Sequence, residues 1–284
     1  MFGCCPNIDT ICIMGEREPN YREDYMDNPQ KKTLAGLEIL RLLASDGYRI
    51  FTFEDAVTSA KAAGVNEKYT SEALTLLKKN NWIESLKKGV YAFTIESGLS
   101  TPPHEFEIAQ ALVSLSAISH WTAMHFHHLT QQTPNIIYSI APKNVSIPRM
   151  ISKDRYRFIK VGTEYFFGLE EVWIEEARVR ITDVERTLLD GLRQPQYCGN
   201  FAEVLHAFKM CMAQRLDIKK IIQYAFRFEK VISKRLGYIL QLLNVPLEEL
   251  KLLLEIPVTG FKTLNPNGPR KGPCNKTWMI IENI

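Results

Sequence analysis

Residues 66–94, NEKYTSEALTLLKKNNWIESLKKGVYAFT, constrain the fold most strongly because their hydrophobic period changes from helix to strand within one short stretch. Asn66 is a residue type that caps helices, and Asn80 and Asn81 stand where the helix after it would end. The residues predicted to be buried in that helix are Ala73, Leu74, Leu76 and Leu77. Strand-like residues then flank the turn LKKG, which predicts a β-hairpin.

Two further helices are predicted ahead of this stretch. In TLAGLEILRLLASDG the apolar residues recur at helical spacing, with Thr33 as the N-cap and Gly47 at the end. In FTFEDAVTSAKAAGV, Thr52 is the predicted N-cap, Asp55 follows three positions later, and Gly64 ends the helix. Three helices followed by a hairpin predict a winged helix-turn-helix over residues 31–95.

A winged helix of this kind places the N-terminal half of its third helix in the major groove of double-stranded DNA. The residues predicted to face base edges are Lys68, Tyr69, Ser71, Glu72 and Thr75. Lys87 and Lys88, at the tip of the hairpin, are predicted to contact phosphate. Such modules also bind proteins, so a protein-interaction module without sequence-specific DNA binding is the alternative.

Charge is unevenly distributed along the chain. Residues 1–30 carry two Arg against six acidic side chains, whereas residues 31–99 carry ten basic and eight acidic ones. The whole chain has a formal net charge of +3. This balance permits nucleic-acid binding without requiring it. Residues 1–30 are predicted to form a poorly ordered acidic tail.

The length of 284 residues suits two domains. Residues 96–103 contain Gly98, Pro102 and Pro103 and are predicted to link the winged helix to residues 104–284. That second domain is predicted to be mixed α+β, with helices at 104–115, 120–129, 184–193, 200–212, 218–241 and 247–254, and strands in NIIYSIA, YRFIKVG, EVWIEEARVRIT and TWMIIEN. No apolar run reaches the length of a membrane span, so we expect a cytoplasmic protein without a membrane partner.

Several segments of the chain resemble AbiEi-type antitoxins. They are ISHWTAMHFHHLTQQTPNIIYSI, VRITDVERTLLDGLRQPQYCGNFAEVLHAF, the hairpin KKGVYAF and the terminal LNPNGPRKGPCNKTWMIIEN. The resemblance covers roughly residues 33–284, with an acidic residue expected at Asn265. It departs from the family in the cysteine-bearing acidic tail and in the limited positive charge of the first domain. It implies a transcriptional regulator of an abortive-infection toxin–antitoxin pair, which represses its own operon and opposes a nucleotidyltransferase toxin. It implies no catalysis.

The block TDVERTLLDGLRQP is interpreted as a structural helix start. Thr182 or Asp183 would cap the helix, and Pro195 would end it. Arg186 and Asp190 stand four residues apart and can form an ion pair.

Enzymatic and metal-binding readings find little support in the sequence. The six cysteines form no CxxC pair, and His120, His125, His127 and His128 lack a carboxylate partner at metal-ligand spacing. The acidic run of Glu170, Glu171, Glu175 and Glu176 is read as one exposed strand edge, because no nuclease-like lysine follows it. We therefore predict no catalytic residue, metal or cofactor, and keep an unrecognised nuclease as a third reading.

A basic stripe is predicted on the long helix at 218–241. The residues on it are Lys219, Lys220, Arg227, Lys230 and Lys234. We expect this stripe to dock an acidic toxin surface or DNA phosphate, although a solvated helix face is an equal alternative.

Overall fold

The computed structural model describes residues 29–148, 155–213 and 216–284. The predicted tail lies outside the described residues, together with Cys4, Cys5 and Cys12, except that Pro29 and Gln30 open the first helix.

The N-terminal module, residues 29–93, consists of three helices and a small antiparallel sheet. Its elements are α1 (Pro29–Ser45), β1 (Ile50–Thr52), α2 (Phe53–Ala62), α3 (Thr70–Lys79), β2 (Ile83–Lys87) and β3 (Val90–Phe93). β3 lies between β1 and β2. The predicted hairpin is thus part of a three-stranded sheet, because β1, which lies between α1 and α2 in the sequence, pairs with β3.

Local capping explains the helix boundaries of the module. Thr52 caps α2 through a full capping box, in which Thr52 and Asp55 each accept a hydrogen bond from the other's backbone N–H. The prediction of Thr33 as a helix cap is wrong, since α1 begins at Pro29 and Thr33 lies within it. Proline suits the first turn of a helix, where its missing N–H costs no hydrogen bond.

The apolar faces of these helices and one face of the sheet form a common core. Its fully buried side chains include Ile39, Leu40, Leu43, Phe51, Leu74, Leu77 and Phe93. Phe51 and Phe93 pack edge to face at 5.6 Å between ring centroids. This core holds α3 against the sheet and leaves its polar side outward.

A five-stranded mixed sheet organises the rest of the chain. Its strands are β4 (Ala117–Ile118), β5 (Ile137–Pro142), β6 (Tyr156–Val161), β7 (Leu169–Ile174) and β8 (Ala177–Thr182), in the order β6-β5-β4-β8-β7. β5 pairs with β6, and β4 with β8, in parallel; the other pairs are antiparallel. EVWIEEARVRIT was predicted as one strand but forms the β7–β8 hairpin, which turns at Glu175 with φ 52°.

Helices surround this sheet and continue beyond it. They are α4 (Glu105–Leu112), α5 (His120–Phe126), α6 (Val184–Arg193), α7 (Phe201–Ala213), α8 (Ile218–Ala225), α9 (Lys230–Leu242) and α10 (Lys251–Leu254). The prediction of one helix at 218–241 is wrong, because the helix is interrupted between α8 and α9. The break lets Phe228 turn into the core, where it packs at 5.8 Å from Phe167.

The last described segment closes the helical core. Short strands β9 (Lys262–Thr263), β10 (Cys274–Asn275) and β11 (Ile280–Ile281) form a small sheet beside α9. Trp278 is fully buried against Gly237 of α9, which leaves room for the indole ring.

The N-terminal module packs directly on the α+β part. Ile50 and Leu86 contact the apolar cluster formed by α4 and the sheet. Arg49 is buried and pairs with Glu107 at 2.7 Å and Glu175 at 3.1 Å. The module and the α+β part therefore share an apolar and ionic interface. No helix among the described residues is both long and apolar enough to cross a bilayer.

Candidate nucleic-acid interface

The segment before α3 is a separate turn of 3₁₀ helix, Glu67–Tyr69. Asn66 caps this turn, accepting a hydrogen bond from the backbone N–H of Lys68 at 3.0 Å. Asn66 is thus a cap as predicted, but Lys68 and Tyr69 precede α3 and do not lie on it. A 3₁₀ turn has three residues per turn, so these side chains point in directions that an α-helical projection does not give.

The outward face of α3 carries Ser71, Glu72 and Thr75, all exposed. Thr75 donates its hydroxyl proton to the Ser71 carbonyl at 2.9 Å, which leaves its oxygen able to accept a further hydrogen bond. The opposite face is buried at Ala73, Leu74 and Leu77 as predicted, while Leu76 is only partly buried. The outward face of α3 therefore carries two hydroxyl groups and one carboxyl group.

Two exposed lysines near the polar face of α3 were not singled out from the sequence. Lys78 and Lys79 close the last turn of α3 and are exposed. Neither forms an ion pair with another residue that the structure describes. Their sequence signal, a KK pair at the predicted helix end, was present, but it lies outside the N-terminal half of the helix, where base contacts were predicted.

The two predicted phosphate contacts, Lys87 and Lys88, have different environments at the tip of the hairpin. β2 runs through Lys87, and Lys88 and Gly89 form the turn, with Gly89 at φ 73°. Lys88 is exposed. Lys87 instead donates from Nζ to the Leu112 carbonyl at the end of α4, at 3.1 Å, and its burial lowers its pKa. The expectation of Lys87 as a free cation at the tip is corrected, because the α+β part covers it.

The predicted basic stripe is not a continuous surface. Lys234 is buried and donates from Nζ to the Leu253 and Leu254 carbonyls. The break between α8 and α9 changes the helical phase, so a projection along one helix put Lys234 on the wrong side. Lys219 and Lys230 are exposed on separate helices.

The other two members of the stripe are held by neighbouring side chains. Lys220 lies 2.7 Å from Glu185 and 3.2 Å from Asp183. Burial lowers its pKa, but hydrogen bonds and charges from these carboxylates outweigh that effect and raise the pKa overall. Arg227 stacks on Phe167, 3.4 Å from the ring centroid. The five residues therefore do not share one face of a single helix, as the prediction of a stripe required.

The block TDVERTLLDGLRQP begins a capped helix, as predicted. Asp183 caps α6 by accepting from the Arg186 backbone N–H at 2.8 Å. Arg186 and Asp190 form the expected ion pair, and both side chains are buried. This block joins α6 to the segment before β7, since Arg186 also donates to the Tyr165 carbonyl at 2.6 Å.

The side chains that raised metal and nuclease readings include His127 and Glu170, which lie 3.8 Å apart. Among residues 29–148, 155–213 and 216–284, no three His, Cys, Asp or Glu side chains lie close enough to hold a metal ion. His127 donates to the Thr182 carbonyl at 2.7 Å, and Glu171 pairs with Arg178. Cys198, Cys211 and Cys274 are free thiols.

Comparison with known proteins identifies a relationship for the N-terminal module. Residues 38–94 match the model of a family described as "Transcriptional regulator, AbiEi antitoxin". This match confirms the resemblance to AbiEi antitoxins and covers the end of α1, α2, α3 and the hairpin. The curated proteins gave no match.

The fold is also similar to a solved structure, "Crystal structure of RV2827C protein from Mycobacterium tuberculosis". The two structures superpose with a TM-score of 0.69 over 87% of this chain and 90% of that chain. Their sequence identity is 13%, so the likeness concerns the fold alone.

Proposed function

We propose that this protein is a DNA-binding transcriptional regulator of the AbiEi-antitoxin type. Its N-terminal module would be a winged helix-turn-helix that binds the operator of its own operon. The match of residues 38–94 to AbiEi antitoxin regulators carries this proposal. That stretch includes α3, whose exposed polar face and short length suit a major groove about 12 Å wide.

The contacts divide into base readout and phosphate binding. Ser71 and Thr75 offer hydroxyl groups to base edges, and Glu72 can accept a hydrogen bond from a cytosine amine. The phosphate contacts would come from Lys68, Lys78, Lys79 and Lys88, which are exposed. Tyr69 is partly buried and would support the turn that presents Lys68.

Binding of the protein to its own upstream duplex tests this proposal. Fluorescence anisotropy should show tighter binding to that duplex than to a shuffled duplex of equal length, with a steep loss of affinity between about 50 and 200 mM salt. Ser71→Ala with Thr75→Ala should remove most of the preference for the native duplex. Equal affinity of the unmodified protein for both duplexes would contradict operator binding.

The hairpin provides a matched pair of variants. Lys88→Ala should weaken binding to both duplexes and reduce the salt slope by about 1, since one phosphate contact is lost. Lys87→Ala removes the same charge one residue away, where the side chain is bonded to the Leu112 carbonyl. It should leave the salt slope unchanged. A larger effect from Lys87→Ala than from Lys88→Ala would contradict this assignment.

We further propose that the α+β part opposes a nucleotidyltransferase toxin, which the AbiEi resemblance implies. Lys219, Arg227 and Lys230 are exposed cations that could meet an acidic toxin surface. Lys219→Glu with Lys230→Glu should reduce rescue of growth when a toxin from a neighbouring gene is co-expressed. Lys251→Glu, at another exposed lysine, is the control and should rescue fully.

A protein partner without sequence-specific DNA binding is the second candidate. The observation that favours it is Trp173, which is 69% exposed on the edge strand β7. Exposed tryptophan on an unpaired strand edge is typical of protein contacts. Weak, sequence-independent DNA binding together with loss of a protein complex in Trp173→Ala would favour this candidate.

A further inference from the structure

A pocket of about 330 Å³ lies where α9 meets the small C-terminal sheet. The residues that line it are Val231, Arg235, Phe261, Lys262, Thr263 and Arg270. Three of these six residues are cations, and none is acidic. The pocket lies in the α+β part and contains none of the residues assigned to DNA.

Arg235 is the most constrained of the three cations. It is 7% exposed, with Nε donating to the Thr263 carbonyl at 3.0 Å and Nη1 to the Leu192 carbonyl at 3.1 Å. Nη2 has no hydrogen-bond partner among the described residues. Burial lowers the pKa of Arg235 to about 10, although Glu229 opposes this shift. A buried guanidinium without a paired carboxylate is costly, and a bound anion would relieve that cost.

The other two cations, Lys262 and Arg270, also line the pocket. Lys262 is partly buried, and its backbone N–H is fixed by the Met279 carbonyl at 2.9 Å. Arg270 donates from Nη2 to the Phe261 carbonyl at 3.2 Å, which holds its guanidinium beside the pocket. Neither side chain has an ion-pair partner within the described parts of the chain. Among the described residues, none of the three cations that line the pocket forms an ion pair with a carboxylate.

We infer that this pocket binds the phosphates of a small nucleotide, specifically a nucleoside diphosphate. Guanidinium groups match the geometry of phosphate oxygens, and several uncompensated cations favour a ligand with more than one negative charge. The Thr263 hydroxyl can donate a further hydrogen bond. Phe261 offers an aromatic surface on which a base can stack. The volume lies at the lower end of the range for small-ligand sites, about 300 to 1,000 Å³.

Calorimetric titration of the full-length protein tests this inference without DNA or toxin. ADP, GDP, CDP, UDP and pyrophosphate are the probes, and adenosine is the phosphate-free comparison. At least one diphosphate and pyrophosphate should bind, and adenosine should not. Lys262→Ala should weaken binding about tenfold or more, as expected for the loss of one charge-assisted hydrogen bond.

Lys271→Ala is the matched control, because Lys271 is exposed, follows Arg270 directly and does not line the pocket. It should change the affinity by less than about twofold, since charges outside the contact are screened by salt. Arg235→Lys, checked for folding by circular dichroism, should weaken binding while keeping the charge.

Three results would overturn the inference. The first is no binding of any diphosphate or pyrophosphate at millimolar concentration. The second is an equal loss of affinity in Lys262→Ala and Lys271→Ala. The third is binding of a 5′-phosphorylated oligonucleotide but of no free nucleotide, which would assign the charges to nucleic acid. None of these results bears on operator binding by α3, because the two sites share no residue.

Discussion

Arg186 and Asp190, one turn apart on α6, form a two-pronged ion pair that is shut off from water. Nε lies 3.0 Å from Oδ2 and Nη2 lies 2.8 Å from Oδ1. The guanidinium carbon is also 4.7 Å from the ring centroids of both Phe167 and Phe228. The Arg186 side chain thus connects α6 to Phe167 and Phe228. The ion pair is therefore a central packing contact of the α+β part.

Removing one partner of this pair should be strongly destabilising. Asp190→Ala leaves the Arg186 charge buried without a carboxylate, which should lower the free energy of unfolding by about 3 to 5 kcal/mol. Urea unfolding followed by circular dichroism measures the loss. Arg178→Ala is the control, because Arg178 pairs with Glu171 at the surface and should cost less than about 1 kcal/mol. Similar losses in both variants would contradict the role of burial.

Gly237 should tolerate no side chain while Trp278 is present. An added Cβ at Gly237 meets the six-membered ring of Trp278, so Gly237→Ala should lower stability by about 1 to 3 kcal/mol despite the better helix propensity of alanine. In a Trp278→Leu background the same change should cost less. A double-mutant cycle with no coupling energy would argue against this contact.

Arg49 should hold the N-terminal module to the α+β part. Arg49→Ala leaves Glu107 half-buried without its nearest cation and should lower the free energy of unfolding by about 2 kcal/mol. Amide hydrogen exchange should speed up in β1 and α4. Arg155→Ala breaks an exposed pair with Glu105 and should change stability by less than about 1 kcal/mol. Unchanged exchange in the Arg49 variant would contradict this role.

His120 should make stability depend on pH. Burial lowers its pKa from 6.5 to about 4, so the unfolded chain takes up a proton between these values and the folded chain does not. Stability from this group is full above about pH 6.5 and falls as pH decreases toward 4. The loss from pH 7 to pH 4.5 should be about 2 to 3 kcal/mol.

Comparison of two histidine variants isolates this effect. Urea unfolding of His120→Gln should lack that part of the pH dependence, whatever its stability at pH 7. His125→Gln, at an exposed histidine, should retain it. Parallel pH profiles for the unmodified protein and His120→Gln would show that His120 does not titrate as described.

Local patterns in the sequence predicted most elements of the N-terminal module. Thr52 with Asp55, and Gly64 after them, specify α2 through contacts between near neighbours, which a sequence displays directly. The same holds for Asp183 and the pair of Arg186 with Asp190. The AbiEi resemblance was likewise visible in the sequence, and the family match confirms it for residues 38–94.

The errors arose where distant parts of the chain decide a residue's environment. Lys87 and Lys234 were predicted to be exposed cations, but each donates to backbone carbonyls of a later segment, at Leu112 and at Leu253. Helical projection cannot show such acceptors. Helical projection also failed at residues 226–229, the turn between α8 and α9, because no proline or glycine marks this turn in the sequence. The pocket around Arg235 escaped notice since its lining comes from two segments about 30 residues apart.

The small sheet of the N-terminal module stands between two apolar clusters, with Phe51 and Phe93 on one side and Ile50 and Leu86 reaching the other. A fragment ending after β3 would expose Ile50 and Leu86 to water and leave Arg49 without either carboxylate. The module is therefore poorly suited to transfer between proteins as a free cassette. A chimeric protein that retains the fold of this module must also include α4 and the β7–β8 hairpin, which supply the surface that the module contacts.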